Sequence, residues 1–345
     1  MYVPMLKIRQ AECLAVKKVI DCFGGEIMPL FEVVTNRFRG KETPLEHINT
    51  IMENRTFFLD YLRFDIDEYK NDVISEECLS YRAGILDTSK YISKLLELRD
   101  FDNIIPVLSI KEGFVLEEND LTSVILRFKS IKRRVAVRIT PIAYLRGNYD
   151  FTVLDENDFL MLDIRESEIN SQMMSYRELS KSKLAAQKIL LNSPRKRSYQ
   201  NPVYETDDYT QYIDNSVAGE YSTVYRPGLF NGFGDYAGLR DKLPEKRGGA
   251  AKGYALALLY MGDSNQFYSI RGTNYEEGVR GYKEIKEKIL NKESFFDPKG
   301  DCPALKEIRR LTYGSWSSWH SITVMRYISQ IYSMVESGKM NQLSI

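Results

Sequence analysis

Eight short apolar runs, recurring through the first 240 residues, constrain this chain more than any other feature of its sequence. They are Tyr2–Ile8 (YVPMLKI), Ile27–Val34 (IMPLFEVV), Thr56–Leu62 (TFFLDYL), Asn103–Ile110 (NIIPVLSI), Arg134–Thr140 (RVAVRIT), Asp158–Ile164 (DFLMLDI), Lys188–Ser193 (KILLNS) and Leu229–Tyr236 (LFNGFGDY). Between them lie stretches with apolar residues at helical spacing: Gln10–Cys22, Pro44–Asn54, Glu68–Arg99 with a break expected near Gly84, Leu121–Ile131 and Met173–Ala186. Runs rich in β-branched and aromatic residues, with little polar alternation, are strands buried on both faces, as in a parallel sheet. Strand–helix repetition admits a closed (β/α)8 barrel or a doubly wound open sheet. No glycine-rich phosphate fingerprint follows an early strand, as the open dinucleotide-binding sheet would require. The reading is therefore α/β, with a TIM-barrel-like (β/α)8 core.

The pattern changes after Ser193. Pro194–Gly219 is basic, then rich in Tyr and Asp, and reads as a long surface loop. Tyr254–Tyr260 and Gln266–Arg271 are expected to pair as a hairpin around Met261–Asn265. Helical stretches follow at Glu276–Asn291, Ala304–Tyr313 and His320–Glu336. Residues 1–240 are assigned to the barrel. Residues 241–345 form a hairpin and helices that complete or cover it rather than fold independently.

Composition narrows the function classes. Lys plus Arg and Asp plus Glu both total 48, so no net field draws the chain to a polyanion. Cys13, Cys22, Cys78 and Cys302 form no CxxC pair, and the histidines are His47 and His320, which argues against a zinc site. No apolar run reaches the roughly 20 residues of a membrane span, and Met1–Gln10 lacks the pattern of a signal peptide. A cytoplasmic protein is expected, with no metal and no cofactor implied.

In a parallel barrel, chemistry gathers at the C-terminal ends of the strands. The polar residues there are Lys7 and Arg9, Glu32, Asp60, Arg138, Asp163, Ser193 and Asp235. With Tyr236, Arg271 and His320 they form the candidate ligand-binding set. Lys7, Glu32, Asp163 and Asp235 are the candidates for chemistry. Charge inside an apolar strand is costly unless paired. The residues therefore make either a salt-bridge lattice closing the mouth or a mixed-charge pocket for an anionic or nucleotide-like ligand.

Narrower readings are weaker. A Ser193–His320–acid triad needs His320 to fold over the mouth. Glu32, Asp163 and Asp235 offer oxygen ligands for Mg²⁺, although ion pairing accounts for them equally well. Arg195, Lys196 and Arg197, with Tyr199, Tyr204 and Tyr209 nearby, could meet nucleic acid, but read more simply as a solvated basic loop. Gly232, Gly234, Gly238, Gly248 and Gly249 match no phosphate loop and suit tight turns.

The order of several motifs resembles the phage beta protein family: YVPMLKIRQAE (Tyr2–Glu12), IMPLFEV (Ile27–Val33), VAVRIT around Arg138, FLMLDI around Asp163, LLNSP around Ser193, FGDY at Phe233–Tyr236, FYSIRG at Phe267–Gly272 and WHSITV at Trp319–Val324. The family tends to carry paired histidines near the C-terminus, where this chain has His320 and Ser321. After GDY it usually turns to His-Pro, where this chain has Ala237-Gly238-Leu239. The resemblance implies a component of a bacterial or prophage anti-phage defence cluster. It would restrain a toxic partner, resembling Gop, encoded by a neighbouring gene, as an antitoxin or a sensor. The alternative is a barrel enzyme that acts on a phosphorylated or nucleotide-like ligand through its charged rim.

Overall fold

The computed structural model describes every residue except 24–26, 39, 41, 71, 133, 194, 200, 215–228, 247–251 and 338–345. Strands β1 (Tyr2–Lys7), β2 (Leu30–Val33), β3 (Phe57–Tyr61), β4 (Ile104–Ile110), β5 (Ala136–Ile139), β6 (Phe159–Asp163) and β7 (Gln187–Asn192) pair in parallel, in chain order. Strand β9 (Gly232–Asp235) joins β7 to β1 and closes the barrel. All eight apolar runs supply a barrel strand, so the closed barrel replaces the open-sheet alternative.

Apart from Ser109 in β4 and Gln187 and Lys188 at the start of β7, the barrel-strand residues are buried, because helices cover the outside and facing side chains fill the inside. Phe58 and Phe159 identify the inward positions. Their strands, β3 and β6, are not neighbours, yet the rings meet edge-on with centroids 4.8 Å apart. Side chains alternate along a strand, so Asp60 and Asp163 lie on that same inner face nearer the C-terminal mouth.

The connections refine the sequence pattern. The break expected near Gly84 falls three residues later. Asp87 accepts the backbone N–H groups of Ser89 and Lys90 and caps a second helix, Thr88–Leu96, after Glu76–Ile85. Gly84 remains inside the first helix. The helix expected from Glu276 starts at Tyr282, because Gly278 takes φ +52° and breaks the preceding 3-10 turn. The stretch taken as loop after Ser193 contains β8 (Asp208–Asp214). This strand pairs antiparallel with β11 (Gln266–Arg271), which in turn pairs with β10 (Leu256–Met261). Its polar, tyrosine-rich sequence suits the edge of a three-stranded sheet, which is why no buried strand was legible there. Gly248 and Gly249 lie outside the described residues.

The terminal helix, Trp316–Glu336, packs between this small sheet and the helix Gln10–Phe23. Gly238, at φ +76°, lets it come close: a Cβ there would sit 2.7 Å from the Tyr327 ring. No helix among the described residues is long and apolar enough to cross a membrane.

Candidate functional site

The strand register brings the charges together. Lys7 is paired with Glu32, and Glu32 with Asp60, so three successive strands place an ionisable side chain at one level. Arg138 reaches across from β5. Its Nη1 lies 2.7 Å from Glu32 and 3.3 Å from Asp60, its Nη2 2.6 Å from Asp163, and its Nε donates to Asp163 at 2.8 Å. Tyr236 donates to Glu32 at 3.0 Å and lies 3.3 Å from Arg138 Nη2. Asp60 also accepts from Ser109 and Tyr91. Glu32, Asp60 and Arg138 are at most 4% exposed.

Asp241, in the loop after β9, extends the network. It takes Lys7 on Oδ1 at 2.6 Å and Arg165 and Arg197 on Oδ2 at 2.6 and 2.7 Å, while Tyr69 donates from 3.2 Å. Four cations (Lys7, Arg138, Arg165, Arg197) and four carboxylates (Glu32, Asp60, Asp163, Asp241) thus form one connected lattice. Burial disfavours charge on Asp241, but Arg165, Lys7 and Arg197 outweigh it and hold the carboxyl well below the usual range. Glu32 is likewise lowered, with Lys7 and Arg138 overcoming burial. Asp60 moves the other way, because burial exceeds the help it receives from Arg138.

Above the lattice lies an open cleft of about 490 Å³ lined by Glu68, Lys111, Glu112, Thr140, Arg165, Glu166, Ser167 and Arg197. Lys111 donates to Glu68 at 2.8 Å, and burial, then Arg165, lowers its ammonium. Glu166 is raised by burial despite Arg197. Arg165 occupies the left-handed region at φ +56°, unusual for a residue with a side chain. Its N–H donates to Asp163 and its carbonyl accepts from Ser193, holding that turn.

Lys7, Glu32, Asp60, Arg138, Asp163 and Tyr236 therefore meet in one interior. Asp235 does not join them. It is one residue out of phase with Tyr236, so it faces outward, where Tyr2 and Tyr327 donate to it at 3.0 and 2.6 Å. Arg271 is also remote, in the small sheet with its guanidinium over the Tyr254 ring. Ser193 Oγ donates to the Arg195 carbonyl at 3.4 Å, whereas His320 Nε2 lies 3.6 Å from Glu12, so the triad is not assembled. Arg9 pairs with Glu12. The carboxylates Glu32 and Asp163 share Arg138, and Asp235 lies outside the barrel, so the three do not converge on a metal. Of the basic run, only Lys196 is exposed: Arg195 donates to Tyr204 and Gly238, and Arg197 lies over the Tyr69 ring.

Sequence reasoning missed Asp241, Arg165, Glu68, Tyr69 and Lys111. Lys111 and Arg165 each follow a barrel strand by one or two residues, which was a usable signal. Asp241 had none, since it sits in a loop.

The Beta protein family model matches residues 2–159. Over that span, a little under half of its length, the chain is similar to the Beta protein family. The match runs from β1 to the first residue of β6, and so includes Lys7, Glu32, Asp60 and Arg138 of the lattice. No curated protein sequence matches the chain. Among solved structures, an endo-beta-N-acetylglucosaminidase from Cordyceps militaris is similar at 12% identity and a TM-score of 0.36, covering 71% of this chain and 83% of its own.

Proposed function

We propose that this chain is a component of an anti-phage defence system that binds and restrains a toxic partner protein. The observation that carries this reading is the state of the rim. Arg138 engages Glu32, Asp60 and Asp163 together, so the carboxylates that an enzyme would use are consumed by internal pairing. Such a lattice makes the barrel a rigid scaffold for recognition by its surface. The defence setting rests on the family resemblance.

A second reading is favoured by one observation. Lys111 and Glu166 in the open cleft are both shifted toward their neutral forms, as groups that exchange protons with a bound anionic ligand would be.

The experiment is co-expression with the toxic product of the neighbouring gene, scoring growth and co-purification for wild type, Lys111→Gln and Glu166→Gln. Restraint by binding predicts a stable complex and restored growth for all three. Cleft variants that keep the complex but lose protection would transfer the function to the second reading. Restored growth with no complex would overturn restraint by binding.

A further inference from the structure

A second cavity, of about 300 Å³, lies where the barrel mouth meets the C-terminal layer. Arg9 follows β1, Arg195 follows β7, and Arg240 and Lys242 belong to the loop after β9. Strand β10 supplies Leu256 and Leu258, and the terminal helix supplies Trp316, Trp319 and His320.

The cations divide into two kinds. Arg9 is neutralised by Glu12, and Lys242 by Asp72 and Glu245. Arg195 and Arg240 have no carboxylate within ion-pair distance among the described residues. Arg195 gives Nη1 to the Gly238 carbonyl and Nη2 to Tyr204, each at 3.0 Å, and its buried Nε has no hydrogen-bond partner. The residue is 6% exposed. Arg240 donates from Nη1 to the Tyr199 carbonyl. The two backbones form an isolated β-bridge, which fixes these arginines side by side. Burial and the neighbouring Arg195 together weaken the protonated form of Arg240.

Holding two like charges in a half-enclosed space is unfavourable unless something compensates them. A carboxylate brings one negative charge, whereas a phosphate monoester brings about −1.5 to −2 at neutral pH, with three acceptor oxygens for guanidinium donors. The cavity exceeds the needs of a bare phosphate and has apolar wall at Leu256, Leu258 and Trp316.

We propose that this cavity binds a small phosphate-bearing anion, its phosphoryl group seated between Arg195 and Arg240. The site is separate from the cleft at Lys111 and does not depend on the toxin-restraining role.

The test is calorimetric titration of the full chain, at matched ionic strength, with inorganic phosphate, AMP and adenosine. Phosphate and AMP are expected to bind competitively and adenosine not to bind. Tighter binding of AMP identifies an organic phosphomonoester, and equal binding the free anion. Arg240→Gln, folded by circular dichroism, should weaken both by about tenfold or more, since it removes a charged hydrogen-bond donor. Lys17→Gln, which alters an exposed ion pair with Asp21, should leave binding unchanged. Absence of phosphate-dependent binding, or unaltered affinity in Arg240→Gln, overturns the proposal.

Discussion

Asp241 Oδ1 lies 2.6 Å from Lys7 Nζ, a buried ion pair between residues 234 positions apart. The other oxygen of the same carboxylate takes Arg165 and Arg197. One side chain from the last barrel loop thus ties together the ends of β1, β6 and β7.

Asp241→Asn should therefore destabilise the fold by about 3–5 kcal/mol, the usual cost of breaking a buried pair while its cations remain. The folded-state pKa of Asp241 is depressed, so its stabilisation is fully present above the unfolded value of about 4 and is lost as pH falls through the folded value. The gap between wild type and variant should narrow on acidification from pH 7 to pH 3. Urea melts at both pH values measure it, and parallel pH profiles would contradict the assignment.

The barrel was legible in the sequence because each strand is buried on both faces and so had to be apolar throughout. β8 was not, because an edge strand such as Asp208–Asp214 carries no such requirement. Lys7, Glu32, Asp60, Arg138 and Asp163 stood out as charges interrupting or ending apolar runs. Asp235 was found by the same rule and misplaced, since the rule locates a residue along a strand but does not say which face it takes. Asp241 could be found only in three dimensions.

Arg138→Met should also cost about 3–5 kcal/mol, and its gap from wild type should likewise narrow on acidification, but for a different reason. Burial already raises the Asp60 carboxyl against the pull of Arg138, so removing the guanidinium raises its folded pKa further above the unfolded one. The variant should then gain stability relative to wild type as pH falls from 7 toward about 4, the unfolded value. Thermal melts across that range provide the check; a variant that loses ground on acidification would sink the argument.

Asp235 should prove to be a clamp between barrel and terminal helix. Asp235→Ala leaves the buried Tyr2 and Tyr327 hydroxyls without this acceptor and should cost about 2–4 kcal/mol. Tyr327→Phe removes one donor and should cost about 1 kcal/mol. Both variants, where folded, should retain partner binding and growth protection. Loss of protection by folded Tyr327→Phe, with an unchanged melting temperature, would instead give this cluster a direct part in function.

Gly234 marks the place where the barrel closes. It lies in β9 opposite Val3, and a Cβ there would sit 2.2 Å from the Val3 carbonyl oxygen and 2.7 Å from Leu191 Cδ2. The obstacle on the β1 side is backbone held in the ladder, so it cannot swing away as a long side chain would. Gly234→Ala should push β9 off β1 and open the seam, exposing apolar surface and reducing soluble yield. Gly84→Ala is the matched comparison: nothing lies within 4 Å of its Cβ, and the residue is helical. That change should stabilise the protein by roughly 0.5–1 kcal/mol, because alanine loses less backbone freedom than glycine in a helix. Dye binding to exposed apolar surface and urea melts of the two variants decide the matter, and a Gly234→Ala protein as compact and stable as wild type would show that the seam can yield.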